Sequence, residues 1–143
     1  MGPEQERRLE MAKKPKKLFV TWKQVEDYVD AVVTHVKKNN IPIDGVFGPP
    51  RGGLVFAVML SHRLHVPLLL SPYGNCLIVD DIADTGQSLI HYRRMEMLLD
   101  PFFITTMFWV RTSSVKPDFY WKEKKTDAWV VYPWENQETE GGC

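Results

Sequence analysis

Between Cys76 and Ser88 the chain reads CLIVDDIADTGQS. An apolar run leads straight into the adjacent carboxylates of Asp80 and Asp81, and Asp84 follows two apolar residues later. Neighbouring carboxylates repel each other, so an acid pair at the end of a buried strand calls for a partner that offsets the cost. The cis hydroxyls of a ribose, each donating to one carboxylate, are such a partner, and so is a divalent cation. Thr85, Gly86, Gln87 and Ser88 come next, where a helix is expected to begin. Free backbone N–H groups and the helix dipole favour a phosphate at such a place. Gly86 lets the backbone approach it, and the Thr85 and Ser88 hydroxyls add donors. Acids for sugar hydroxyls beside amides for a phosphate describe a sugar-phosphate site.

Two plainer readings exist. Asp84 or Thr85 could simply cap the helix above a solvated acidic loop. The acids could also form a Mg2+ pocket of the response-regulator kind, although that leaves the Thr-Gly-Gln-Ser turn unexplained. A second phosphate-like element is Gly48-Pro49-Pro50-Arg51-Gly52-Gly53. The planar fork of Arg51 suits two phosphate oxygens at once, and neither Pro50 nor Gly52 is typical of an ordinary helix start with an exposed Arg.

The elements that must position these residues follow from periodicity. Thr21 and Gln24 have capping-box spacing, and Trp22, Val25, Val29, Val32, Val33 and Val36 recur at helical intervals up to Asn39-Asn40. Gly45-Val46-Phe47 reads as a short buried strand, and Leu54 to Leu64 as a well-covered helix. Strands are expected at Val66 to Leu70, Cys76 to Val79, Phe103 to Val110 and Ala128 to Tyr132. A further helix is expected from about Gly86 to Leu99. Strand, glycine turn, helix and strand form a βαβ signature, so the expectation is a single α/β domain with a mainly parallel twisted sheet flanked by helices. It spans residues 18–135, between a basic polar tail at 1–17 and a polar tail at 136–143.

Composition narrows the function. The 143 residues are 44% hydrophobic, enough for one core. Lys plus Arg balances Asp plus Glu at 18 each, so no global field points to nucleic acid or an anionic membrane. Two cysteines, Cys76 and Cys143, make no disulfide framework, and no apolar run approaches bilayer length. A cytoplasmic protein is expected.

Leu77 to Ser88 resembles the phosphoribosyl-pyrophosphate (PRPP) motif of the type I phosphoribosyltransferases, and Gly48 to Leu54 resembles that family's pyrophosphate loop. Pro117-Asp118-Phe119-Tyr120, with Asp127 to Glu135, is similar to the carboxyl end of small 6-oxopurine enzymes of the xanthine-guanine type. The resemblance implies the type I phosphoribosyltransferase fold and transfer of a phosphoribosyl group from PRPP to a purine base, giving a nucleoside monophosphate and pyrophosphate. It implies Mg2+ as cofactor and a homo-oligomer, dimer or tetramer. Position by position, it implies that Asp80 and Asp81 hold the ribose, with Asp81 near Mg2+, and that Thr85, Gly86, Gln87 and Ser88 take the 5′-phosphate. Arg51 and the Gly52 amide grip pyrophosphate, Asp84 accepts a proton from the base, Trp129 stacks on the purine and the Val130 backbone reads its edge. For the 6-oxo group the place of the family's lysine falls near Val110, which makes Arg111 the candidate and Lys116 a second one.

The chain departs from the family in the connection from Leu70 to Cys76. Only Ser71 to Asn75 stand there, a Pro- and Gly-containing stretch expected to form a hairpin, where the family carries a long mobile loop that closes over the site. A non-catalytic PRPP- or nucleotide-sensing module is therefore the rival to an enzyme.

Overall fold

The computed structural model describes residues 2–5, 16–83, 87–96, 102–113 and 115–135. They fall into two compact units, Lys23–Lys125 and the pair of segments Met1–Trp22 and Thr126–Gly142.

The larger unit holds helix α1 (Trp22–Lys38, whose first residue belongs to the other unit), strand β2 (Gly45–Phe47), helix α2 (Leu54–Leu64), strand β3 (Cys76–Ala83), helix α3 (Gln87–Glu96) and strands β4 (Phe103–Trp109) and β5 (Phe119–Glu123). The strands lie in the order β2-β3-β4-β5, every pair parallel, with Val46 opposite Leu77, Ile78 opposite Ile104 and Thr105 opposite Phe119. This is the expected α/β class. A central parallel strand is covered on both faces, which is why Cys76, Leu77, Ile78 and Val79 form an unbroken apolar run with no exposed surface.

The two faces can be told apart by successive residues of β4. Ile104 packs with Cys76, Ile78, Leu89 and Tyr92, so α3 covers that side. Thr105 turns the other way and its Oγ1 lies 2.9 Å from the hydroxyl of Tyr28 on α1. Helix α1 buries Val25, Tyr28, Val29, Val32, Val33 and Val36, the stripe read from the sequence with Tyr28 added and without Trp22, which is half exposed. Tyr28 also meets Phe56 of α2 edge-on at 5.3 Å, so α1, α2 and β4 converge on one ring.

The smaller unit is a two-stranded parallel sheet of β1 (Lys17–Phe19) and β6 (Trp129–Val131). Val20 N–H donates to the Val131 carbonyl at 2.8 Å and Trp129 N–H to that of Lys16 at 2.6 Å. Trp134 stacks on Tyr132 and leans on Trp22, with centroids 5.1 and 5.7 Å away.

Several expectations are corrected. Val66 to Leu70 is not a strand: Leu68 makes a single parallel bridge to Val46, because Pro67 lacks an N–H and Leu70 stands 96% exposed. Residues 71–75 are not a hairpin either. Leu68 pairs with β2 on the side away from β3, and all three run parallel, so the short segment crosses past β2 rather than reversing between neighbours. Strand β3 continues four residues beyond Val79, to Ala83, which draws Asp80 and Asp81 out of the expected loop and into the strand. Strands β1 and β5 are additions. Most of the basic tail, residues 6–15, and the tail at 136–143 lie outside the described residues.

Candidate active site

Two chain reversals meet at the carboxyl ends of β2 and β3, the position where open parallel sheets bind ligands. From β3 come Asp80 and Asp81. Asp80 is opposite the buried Thr106 and is itself partly covered, and Asp81 is 8% exposed. Each carboxylate folds onto the backbone that follows it: Asp81 N–H donates to Asp80 Oδ1 at 2.9 Å, and Ile82 N–H donates to Asp81 Oδ1 at 2.8 Å. These contacts orient the two acids. Burial, and after it the charge of Asp81, pushes the Asp80 carboxyl up to about 8. Ionising both acids at once is thus costly, and hydroxyl donors or a cation would lower that cost.

From β2 comes the glycine turn. Gly53 N–H donates to the Pro49 carbonyl at 2.9 Å and Leu54 N–H to that of Arg51 at 3.2 Å, which rolls the loop directly into α2. The Pro50–Arg51 peptide bond is cis. The loop lies so close to β3 that a side chain at two of its positions would overlap the strand. A Cβ on Gly53 would collide with the Val79 carbonyl oxygen and come within 3.2 Å of Asp80 Cα. One on Gly52 would reach 2.6 Å from Asp81 Oδ2. Glycine is required here by space, not by dihedral angle. Arg51, between Pro50 and Gly52, is exposed to solvent at the outer side of this junction.

The sequence-predicted residues are thus partly assembled. Gly52, Asp80 and Asp81 come together at the carboxyl ends of β2 and β3, with the exposed Arg51 in the same loop. Gln87 is the first residue of α3 and Ser88 the second, so the helix begins where the phosphate turn is expected. Asp84, Thr85 and Gly86 lie outside the described residues. Trp129 and Val130 belong to the smaller unit, Trp129 being 44% exposed and Val130 buried opposite Leu18. Arg111 follows β4 and is engaged by Glu123 of β5 through both ends of its fork, Nε to Oε1 at 2.9 Å and Nη2 to Oε2 at 3.0 Å. Lys116 holds its ammonium over the rings of Trp109 and Tyr120, 5.2 and 5.4 Å from their centroids.

Tyr28 is a neighbour that sequence reasoning missed. Its hydroxyl is held far above the usual phenol range by burial first, with the charges of Asp80 and Asp81 adding to it, so it lies within the field of the acid pair. The available signal was its place on the helical stripe, three residues after Val25 and four before Val32.

No protein-family profile matches the chain. Curated relatives do. A xanthine-guanine phosphoribosyltransferase of Nitratidesulfovibrio vulgaris strain Hildenborough is 27% identical over 146 residues, covering 85% of this chain and 87% of the relative, and its counterpart in strain DP4 is 26% identical with the same coverage. Among solved structures, a purine phosphoribosyltransferase of Pyrococcus horikoshii superposes with a TM-score of 0.73 at 27% identity, covering 87% of this chain and 97% of its own. The Helicobacter pylori xanthine-guanine-hypoxanthine enzyme, 18% identical, shares the fold with a TM-score of 0.69 over 82% of this chain and 92% of that one. Likeness to these proteins over most of the chain agrees with a glycine loop and an aspartate strand brought together at the carboxyl ends of parallel strands: the chain has the type I phosphoribosyltransferase fold and is similar in sequence to xanthine-guanine phosphoribosyltransferases.

Proposed function

We infer that the protein transfers a phosphoribosyl group from PRPP to a 6-oxopurine base, releasing pyrophosphate and a nucleoside 5′-monophosphate. The observation that supports this reading is the close approach of the Gly52 backbone to the Asp81 carboxylate, which sets the loop proposed to grip pyrophosphate beside the acid proposed to hold the ribose. Pyrophosphate and ribose are adjacent in PRPP, and the two motifs that suit them are adjacent here. The xanthine-guanine transferase relatives weigh against the sensor alternative.

In this reading Asp80 and Asp81 accept hydrogen bonds from the ribose hydroxyls and hold the sugar while positive charge develops at its anomeric carbon. Arg51 and the Gly52 N–H take the departing pyrophosphate. The turn from Thr85 to Ser88 binds the 5′-phosphate, and Asp84 accepts the proton that the base loses. On the resemblance alone, Trp129 and Val130 are carried as base contacts and Arg111 as the reader of the 6-oxo group.

The donor set suits Mg2+. Asp80 and Asp81 are hard oxygen ligands with an electrostatic cost to relieve, and Mg2+ is typically held by one or two carboxylates together with substrate phosphates. Asp81 would hold it, and when bound it neutralises part of the charge on the leaving pyrophosphate. Among the described residues no helix is long and apolar enough to cross a membrane. A cytoplasmic homo-oligomer, dimer or tetramer, completes the proposal.

The test is direct. Full-length protein with PRPP and Mg2+ should form monophosphate and pyrophosphate in equal amounts from hypoxanthine, guanine or xanthine. Absence of product from all three bases would sink the reading.

A further inference from the structure

The segment Pro117-Asp118-Phe119-Tyr120 takes no part in the chemistry proposed above, yet Asp118 is a junction of the fold. Its N–H donates to the Ile104 carbonyl and its Oδ2 accepts from Ile104 N–H, both at 2.8 Å, so one residue satisfies both backbone groups of Ile104. The same Oδ2 receives Arg93 Nη2 at 2.8 Å, while Arg93 Nη1 donates to the Phe102 carbonyl at 3.4 Å. Arg93 is on α3, the helix whose first turn follows the acidic motif. The pair is partly shielded, with 29% and 35% of the two side chains exposed.

Helix α3 rests on the sheet through Leu89 and Tyr92, which pack with Cys76, Ile78 and Ile104. Apolar burial of this kind fixes how far the helix stands from the sheet, but it is non-directional and resists sliding or rotation poorly. A guanidinium fork that binds a carboxylate and a carbonyl at once is directional. Arg93 is about 9 Å along the helix axis from Gln87 at 1.5 Å per residue, so a small rotation at Arg93 moves the first turn with it.

We propose that the Arg93–Asp118 pair is a positioning device for the sugar-phosphate site, locking α3 on the sheet so that its first-turn N–H groups stand where the 5′-phosphate must lie. The proposal rests on the transferase reading above. Arg93 and Asp118 are positioning residues, not catalytic ones, because they act through the helix.

The experiment uses the full chain and three variants. Arg93→Met keeps the apolar stem and loses the fork; Asp118→Asn keeps an acceptor for Ile104 N–H and loses the charge; Arg93→Lys keeps a single-point charge. Calorimetry measures Kd for a nucleoside 5′-monophosphate and for Mg-pyrophosphate, and steady-state kinetics measures KM for PRPP and kcat. The monophosphate Kd and the PRPP KM should rise about fivefold in Arg93→Met and Asp118→Asn, with partial recovery in Arg93→Lys. Pyrophosphate Kd and kcat should stay within about twofold, because the loop that grips pyrophosphate belongs to β2 and α2. Unchanged monophosphate affinity in folded variants, or equal loss of both ligands, would overturn the proposal. Amide hydrogen exchange at residues 88–92 of the ligand-free protein separates it from the reading it rests on. Exchange should quicken in Arg93→Met and in Asp118→Asn, whichever of them folds, and unchanged exchange overturns the positioning role alone. Failure of the unaltered protein to bind either ligand overturns the transferase reading and this proposal together.

Discussion

A side-chain carbon on Gly52 would lie 2.6 Å from Oδ2 and 2.9 Å from Oδ1 of Asp81, closer than nonbonded atoms approach. The glycine loop and the Asp81 side chain are therefore directly apposed at this point. The loop proposed to grip pyrophosphate and the carboxylate proposed to hold the ribose approach this closely because position 52 carries no Cβ.

Gly52→Ala should break that arrangement. The added methyl must push either the Asp81 carboxylate or the loop outward by a sizeable part of an ångström, and displacement of reacting groups on that scale costs about 100-fold in rate. We expect kcat/KM for PRPP to fall by roughly that factor while the protein stays folded. Steady-state kinetics beside a thermal melt checks this, and a folded variant with full activity would show that the contact is incidental.

Tyr28→Phe should cost stability. The Tyr28 hydroxyl lies 2.9 Å from Thr105 Oγ1 in the fully buried space between α1 and β4, and its loss leaves the threonine hydroxyl without that partner. Destabilisation of about 1–2 kcal/mol is expected in urea unfolding. Adding Thr105→Val should recover part of it, since removing both polar groups is cheaper than removing one. A double variant as unstable as the sum of the singles would argue against a coupled pair.

Asp80 predicts the pH dependence of stability. Its carboxyl binds a proton up to about 8 in the folded chain, against an ordinary value of 3.8. Between those values the folded state holds more protons than the unfolded one, so stability falls as pH rises. The melting temperature of the ligand-free protein should therefore drop between pH 5 and 8. Asp80→Asn should flatten that slope and raise the melting temperature at pH 8 by about 4 °C or more, while weakening PRPP binding. An equally steep slope in the variant would place the titrating group elsewhere.

Much of the fold was legible because its central strand is buried on both faces. Leu77, Ile78 and Val79 admit no other reading, and the valine stripe of α1 is as plain. Legibility failed at the margins of the sheet. Phe119 to Glu123 is partly covered at four positions, and its three aromatic residues give way to Lys122 and Glu123 without alternation, as befits an edge strand. Lys17, Leu18 and Phe19 are exposed at every position, so burial does not demand the strand that pairs with β6. Val66 to Leu70 misled in the opposite sense, being apolar although only Leu69 of it is buried. In the site, residue types announced the acids and the glycines, but the distance between them did not follow from spacing. Gly52 and Asp81 are far apart in sequence, and only the register of β2 on β3 brings them together.

The last prediction concerns Arg111. As the candidate reader of a 6-oxo group it has a competitor, because both ends of its fork are bound to Glu123, 2.9 and 3.0 Å away. The arginine side chain is 75% exposed, so solvent screens the pair and breaking it costs at most about 1 kcal/mol. A base that recruits Arg111 must supply that energy. Glu123→Gln weakens the competitor and should then lower KM for guanine or hypoxanthine by up to about fivefold, with kcat for the reaction little changed. Arg111→Ala should raise the same KM about tenfold through the lost hydrogen bond. Parallel measurement of KM for base and for PRPP in both variants decides the matter. If neither substitution moves the base KM, the Arg111–Glu123 pair is a surface tie between β4 and β5, and the ammonium of Lys116 becomes the next group to test.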